Sequence, residues 1–230
     1  MRDIPDAVMI FAAGFGTRMG GLTKTLPKPM IEVAGKPLID HALDQVEAFG
    51  PGRIVVNLHY RPQPLREHLA PRGILFSEEQ PEILETGGGL KAALPLLRSN
   101  PVFTMNSDAV WHGPNPLSFL ASHWQPEAMD ALLLGIEPDM AIGHKGNGDF
   151  IIHPDGRAER GAGVVYSGLQ IIRTDRLSEI EERVFSLHAL WDRMLAEGRL
   201  HAVTYPGKWC DVGHPGGIAL AEDMLNSTHV

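Results

Sequence analysis

Short unbroken apolar runs alternate along the chain with stretches whose apolar residues recur every three to four positions. Residues 7–12 form one such run, bounded by glycine, and read as a strand buried on both faces. Pro37 stands at the first position of a predicted helix in which Leu38, Ile39, Ala42, Leu43, Val46 and Phe49 make one apolar stripe. Residues 53–58, 74–77, 102–106 and 131–136 read as four more strands. A helix with Leu90, Ala93, Leu94 and Leu97 on one side follows a glycine turn between the second and third of these. Regular alternation of strand and helix predicts an α/β fold with a doubly wound, mostly parallel, Rossmann-like sheet.

Beyond about Gly135 the pattern changes. Residues 148–159 read as two short strands around a Pro154-Asp155-Gly156 turn, and 163–173 as a longer strand. Ser186 is the expected cap of a helix running to Leu195, residues 200–205 read as a strand, and Ile218, Ala221 and Leu225 stripe a last helix. The expectation is one domain over residues 1–230, with a 1–135 half and a 136–230 half whose β-rich part is laid over the sheet as a small subdomain. There is no internal repeat and no linker.

An apolar fraction of 43% over 230 residues is enough for a full core. The formal charge of −8 argues against nucleic acid or an anionic membrane as partner, while leaving small anions in a locally basic cleft possible. The single cysteine, Cys210, allows no internal disulfide and no thiolate cluster, which fits a reducing cytoplasm. The acidic N-terminus and short apolar run do not make a signal peptide, and no run approaches the roughly 20 residues of a membrane span.

The chemistry concentrates after the first strand, in "AAGFGTRMGGLTKTLPKPM", residues 12–30. Gly14 and Gly16 match the dinucleotide fingerprint G-x-G-x-x-G, but Met19 occupies the third glycine position. Gly20-Gly21 and Pro27-Lys28-Pro29 exclude the helix that fingerprint must open. The P-loop pattern G-x-x-x-x-G-K-[ST] is absent. What remains is a long loop at the carboxyl edge of a sheet, where α/β proteins bind ligands. Its glycines let backbone N–H groups approach a phosphate, and Arg18 and Lys28 bring two positive charges. Each such charge pair at ~4 Å is worth about 4 kcal/mol of Coulomb energy at an effective dielectric of ~20, before desolvation.

These residues resemble the signature loop of the sugar-1-phosphate nucleotidylyltransferases. The resemblance implies that Arg18 and Lys28 are catalytic, holding the triphosphate and the transferred phosphoryl group, and that Ala12, Ala13, Gly14, Gly16 and Thr17 contact the nucleotide. "LETGGG", residues 84–89, resembles the family's base-recognition turn, which makes Glu85, Thr86, Gly87 and Gly88 nucleotide contacts. "MNSDAVW" and "KWCDVGHP" place Asp108 and Asp211 where the family has its metal-binding pair, implying Mg2+. Ser107 stands where the family has glycine. By position, Asn106 is a further nucleotide contact, and Asp149 of "GDF", Gly168 of "YSG" and Glu78 of the Glu78-Glu79 pair are sugar contacts. Cys210 reads as packing, and the 11 histidines form no zinc motif.

The implied fold is that of nucleotide-diphospho-sugar transferases, and the implied reaction joins a nucleoside triphosphate (NTP) to a sugar 1-phosphate with loss of pyrophosphate. The compact length, "LETGGG", "GDF" and "W-x-D-V-G" are most similar to N-acetylmuramate-1-phosphate uridylyltransferases of cell-wall recycling, so UTP is the expected nucleotide. Mannose-1-phosphate or heptose-1-phosphate guanylyl transfer is the alternative, and a non-catalytic nucleotide-sensing module a remoter one. A monomer or a homodimer is equally compatible.

Overall fold

A computed structural model describes residues 4–227. The chain runs through β1 (Ala7–Phe11), β2 (Glu32–Val33), β3 (Lys36–Pro37), α1 (Leu38–Phe49), β4 (Arg53–Leu58), α2 (Pro62–Leu69), β5 (Leu75–Glu78) and α3 (Glu85–Leu97). It continues through β6 (Val102–Asn106), β7 (Ala109–His112), α4 (Pro116–His123), β8 (Ala131–Ile136), β9 (Ala141–Ile142), β10 (Phe150–Ile152), β11 (Ala158–Arg160) and β12 (Val165–Ile172). Last come α5 (His188–Ala196), β13 (Leu200–Thr204), β14 (Lys208–Asp211) and α6 (Gly216–Asn226).

Seven strands form the main sheet in the order β13-β8-β12-β6-β1-β4-β5. All its pairings are parallel except those of β12, which runs antiparallel to both β6 and β8. Alternation along β1 shows why such strands read as unbroken apolar runs. Val8 and Ile10 pack with Ile39 and Leu43 of α1 on one face, while Ala7 and Met9 pack with Leu90 and Ala93 of α3 on the other. A third cluster joins Met19 and Ile31 of the loop after β1 to Val110, Cys210, Val212 and Met224.

Several expectations are corrected. The β-rich part of the 136–230 half is divided, because its long strand β12 and the later β13 belong to the main sheet. Only the β10–β11 hairpin and the three-stranded sheet β7-β14-β9 stand outside it on that side of the chain. Helices α2 and α4 were not foreseen, each being only eight residues long and opening on proline. The glycines of "LETGGG" are the first turns of α3 and do not precede it. Helix α5 starts at His188, with Ser186 Oγ accepting from the His188 N–H at 3.3 Å.

Candidate active site

The carboxyl ends of β1 and β6 lie side by side, Phe11 opposite Asn106, and a cavity of about 310 Å³ opens over them. The chain leaving β1 supplies one wall, with Ala12, Ala13, Gly14, Gly16, Thr17 and Arg18. This segment is not a free flap. It folds into 3-10 turns at Thr17–Thr23 and Lys28–Met30, and Met19, at the position a dinucleotide loop gives to glycine, is fully buried. The Met19 N–H and the Thr23 hydroxyl both donate to the Gly16 carbonyl, at 2.9 and 3.1 Å. A hydrophobic anchor and local hydrogen bonds therefore hold the loop while its glycines stay in the wall.

Lys28 reaches across the cavity to Asp108, Nζ to Oδ2 2.7 Å, with side chains 12% and 25% exposed. Partial burial makes this pair stronger than a surface one. Arg18 is exposed in the wall and makes no ion pair or hydrogen bond among the described residues, so its charge is available to an anion. Ser107 Oγ donates to the Phe11 carbonyl at 2.7 Å. The hydroxyl that replaces the expected glycine thus ties β6 to β1.

Asp211 comes from the last residue of β14, which pairs antiparallel with β7 so that Asp211 stands opposite Ala109. The Val212 N–H donates to the Asp108 carbonyl at 2.9 Å, drawing the two aspartate turns together. Burial, then the neighbouring Asp108 charge, push the Asp211 carboxyl above the usual carboxylate range, while Lys28, Arg18 and His144 act the other way. A Cβ added at Gly213, in the cavity wall, would stand 2.7 Å from Asp211 Oδ2 and 3.0 Å from Arg18 Nη1. Two mutually repelling carboxylates next to a basic pair make an oxygen-only donor set. That set suits magnesium, which takes one or two protein carboxylates and fills its octahedron with water and phosphate oxygens. Among the described residues no group of three or more His, Cys, Asp or Glu offers a fuller metal cage.

The other expected residues divide. Glu85 and Thr86 are in the wall, Glu85 with left-handed backbone at φ 62°. Thr86 Oγ1 accepts from the Leu187 N–H at 3.0 Å. Gly87 and Gly88 are buried outside the wall, and their N–H groups donate to the Phe185 carbonyl at 2.9 and 3.0 Å, so these amides do not face the cavity. Asn106 is in the wall, with Gly168 packed against its side chain from β12. Asp149 accepts from the Tyr166 N–H at 2.8 Å and fastens the hairpin to β12. Glu78 is exposed on the far side of β5 and pairs with Arg66. Its neighbour Glu79 is the buried one and lies in the wall with Asn57, as the alternation of a strand requires. Asn57 was missed by sequence reading, although a lone amide in the apolar run "RIVVNL" is the kind of buried polar residue that signals a purpose. Cys210 is fully buried, and burial followed by the Asp211 charge pushes its thiol up to about 12, which leaves no thiolate at neutral pH.

Residues 8–182 match the family of MobA-like NTP transferase domains. The chain is 39% identical to the N-acetylmuramate alpha-1-phosphate uridylyltransferase of Caulobacter vibrioides, over 98% of this chain and 99% of that one. It is 33% identical to the enzyme of that name from Neisseria meningitidis serogroup B, over 89% and 92% of the two chains. The mannose-1-phosphate guanyltransferase of Hypocrea jecorina is 32% identical over 96% of this chain, which spans 62% of that protein's length. Among solved structures, HddC from Yersinia pseudotuberculosis complexed with GMP-PN superposes with a TM-score of 0.76 at 23% identity, covering 95% of this chain and 99% of that one.

Proposed function

We infer that this chain, which belongs to the family of MobA-like NTP transferase domains, transfers a uridylyl group from UTP to N-acetylmuramate 1-phosphate. The observation that carries this reading is the convergence of Arg18, Lys28, Asp108 and Asp211 at the carboxyl edge of β1 and β6, beside a cavity lined by glycine backbone. Near full-length similarity to two uridylyltransferases supports the choice of base and sugar.

In the reaction a phosphate oxygen of the sugar 1-phosphate attacks the α-phosphorus of UTP. The bond from that phosphorus to the bridging oxygen breaks, and pyrophosphate leaves. A phosphate monoester has a second pKa near ~6, so the nucleophile is already ionised and no histidine base is needed. The protein's task is to bring two mutually repelling anions into line and to neutralise the charge that builds up at phosphorus. Arg18 and Lys28 bind the triphosphate, and the backbone of Ala12 to Thr17 lies close to it. Asp108 and Asp211 are the residues that would hold a magnesium ion, which supplies positive charge to the phosphate oxygens. Glu85, Thr86 and Asn106 contact the nucleotide. Of the expected sugar contacts, Gly168 packs against Asn106 in the wall, while Asp149 and Glu78 do not line this cavity. A reducing cytoplasm as the site of cell-wall recycling agrees with one buried, unpaired thiol. No helix among the described residues is long and apolar enough to cross a membrane.

The test is pyrophosphate release with each of the four nucleoside triphosphates against a panel of sugar 1-phosphates. UTP with N-acetylmuramate 1-phosphate is expected to give the highest kcat/KM. Preference for GTP with mannose 1-phosphate would replace the substrate assignment with the guanylyl one.

A further inference from the structure

Glu79 is fully buried, yet it belongs to the wall of the cavity. Its Oε1 accepts from Asn57 Nδ2 at 2.7 Å and its Oε2 from the Leu84 N–H at 2.7 Å. Asn57 Oδ1 in turn accepts from the Ala12 N–H at 2.6 Å. No lysine, arginine or histidine forms an ion pair with Glu79 among the described residues. Gly89 lies so close that a Cβ there would stand 2.6 Å from Glu79 Oε1, so α3 gives up a side chain to make room for the carboxylate.

A buried carboxylate without a cation is costly, and an apolar residue of the same size would fill this space more cheaply. Its two ends show what it does. Ala12 is the first residue after β1, where the phosphate-facing loop begins, and Leu84 immediately precedes Glu85 and Thr86 on the opposite wall. Asn57 and Glu79 are the only side chains in the chain of bonds Ala12–Asn57–Glu79–Leu84, so the two walls are spaced by a single polar bridge with every partner defined.

We propose that Asn57 and Glu79 are positioning residues for the nucleotide, setting the separation of the phosphate wall at Ala12 from the Glu85–Thr86 wall. The proposal rests on the transferase reading above. Neither residue need touch the reacting atoms. Asn57→Asp keeps an acceptor for Ala12 but sets two carboxylates against each other. Glu79→Gln forces one N–H to face another donor. The double variant Asn57→Asp/Glu79→Gln reverses the central bond, with the new amide donating to the new carboxylate, and both backbone N–H groups keep an acceptor at unchanged net charge.

UTP binding by calorimetry, steady-state KM and kcat, and melting temperature would be measured on the parent, both single variants and the double variant. Each single variant is expected to weaken UTP binding by about tenfold or more, since small displacements of a binding wall are costly, with a smaller change in KM for the sugar phosphate. The double variant should return to within about threefold of the parent, because the broken bond is restored. Folded single variants that bind UTP within about twofold of the parent would overturn the proposal, reducing the pair to a stability role. If the single variants do not fold, the double variant decides: parental melting with lost UTP binding overturns the proposal, and parental binding supports it. A parent that binds no nucleoside triphosphate overturns the transferase reading and this one together, whereas a parent that binds UTP while the variants behave alike overturns this one alone.

Discussion

In the loop after β1, a methyl group added at Gly14 or Gly21 would meet no heavy atom within 4 Å. At the start of α3, one added at Gly87 would strike the Phe185 ring, at Gly88 the Arg183 carbonyl, and at Gly89 the Glu79 carboxylate. The two stretches border the same site and share a composition, but glycine serves them differently. At Gly14 and Gly21 it leaves room outside the protein, where a phosphate can approach backbone, whereas at Gly16 it lets Lys28 and Thr23 pack against left-handed backbone. In the second stretch it lets two neighbouring segments, the one carrying Arg183 and Phe185 and the one carrying Glu79, close onto one helix, against the helix's own propensity. A glycine cluster is therefore evidence of close approach, and only the surroundings say whether a ligand or the protein itself does the approaching.

The comparison is tested most severely by charge in the open region. Asp108→Asn keeps a hydrogen-bond acceptor for Lys28 and the same volume, so the melting temperature should stay within a few degrees. Turnover should fall about 10²–10³-fold, the usual cost of losing one electrostatic element of a charge-stabilising site. Chelation of divalent ions should stop the parent enzyme comparably, with magnesium restoring it. Near-normal turnover of Asp108→Asn would end the assignment of Asp108 to metal binding.

Next in size is Gly88→Ala in the packed region. Helix propensity alone favours alanine by about 1 kcal/mol. The added carbon meets a backbone carbonyl that cannot swing aside, and overpacking of this kind costs about 1–3 kcal/mol or more. The clash wins, so denaturant midpoints should fall, and the melting temperature should drop by about 2–4 °C for each kcal/mol. Stabilisation would show that the Arg183 segment moves freely and that the packed reading is wrong.

The smallest effect on stability belongs to Gly14→Ala. Its backbone φ is not left-handed and its surroundings are open, so stability should be unchanged or rise by about 0.4–1 kcal/mol through the unfolded chain. KM for UTP should nevertheless rise by about tenfold, because the added methyl stands where backbone must approach phosphate. An unchanged KM would mean that Gly14 lies outside the nucleotide's path.

The sequence made the strands of the parallel core legible because strands buried on both faces are apolar without interruption, as Ala7 to Phe11 and Ala131 to Ile136 are. It did not reveal that β12 runs antiparallel, since a strand's direction depends on the route of its connection and not on its residues. It also mistook "LETGGG" for a turn, because local propensity cannot register the Phe185, Arg183 and Glu79 groups that come from 98, 95 and 10 positions away from the glycines they crowd. The basic pair stood out as charges in a glycine-rich loop after an apolar strand, and the two aspartates through their resemblance to a family's metal-binding pair, since either aspartate alone reads as an ordinary turn or cap residue. Glu79 and Asn57 were harder to find, since both act from inside the wall and their partners are backbone N–H groups that leave no mark on the sequence.

Whether this geometry performs nucleotidyl transfer is settled by following phosphorus. With UTP labelled at the α-phosphate and N-acetylmuramate 1-phosphate as acceptor, the label should appear in the sugar nucleotide and none in pyrophosphate, with one pyrophosphate released per product formed. Label retained in free UMP with no sugar nucleotide, or a product carrying the γ-phosphate, would contradict attack at the α-phosphorus and with it the roles given to Arg18, Lys28, Asp108 and Asp211.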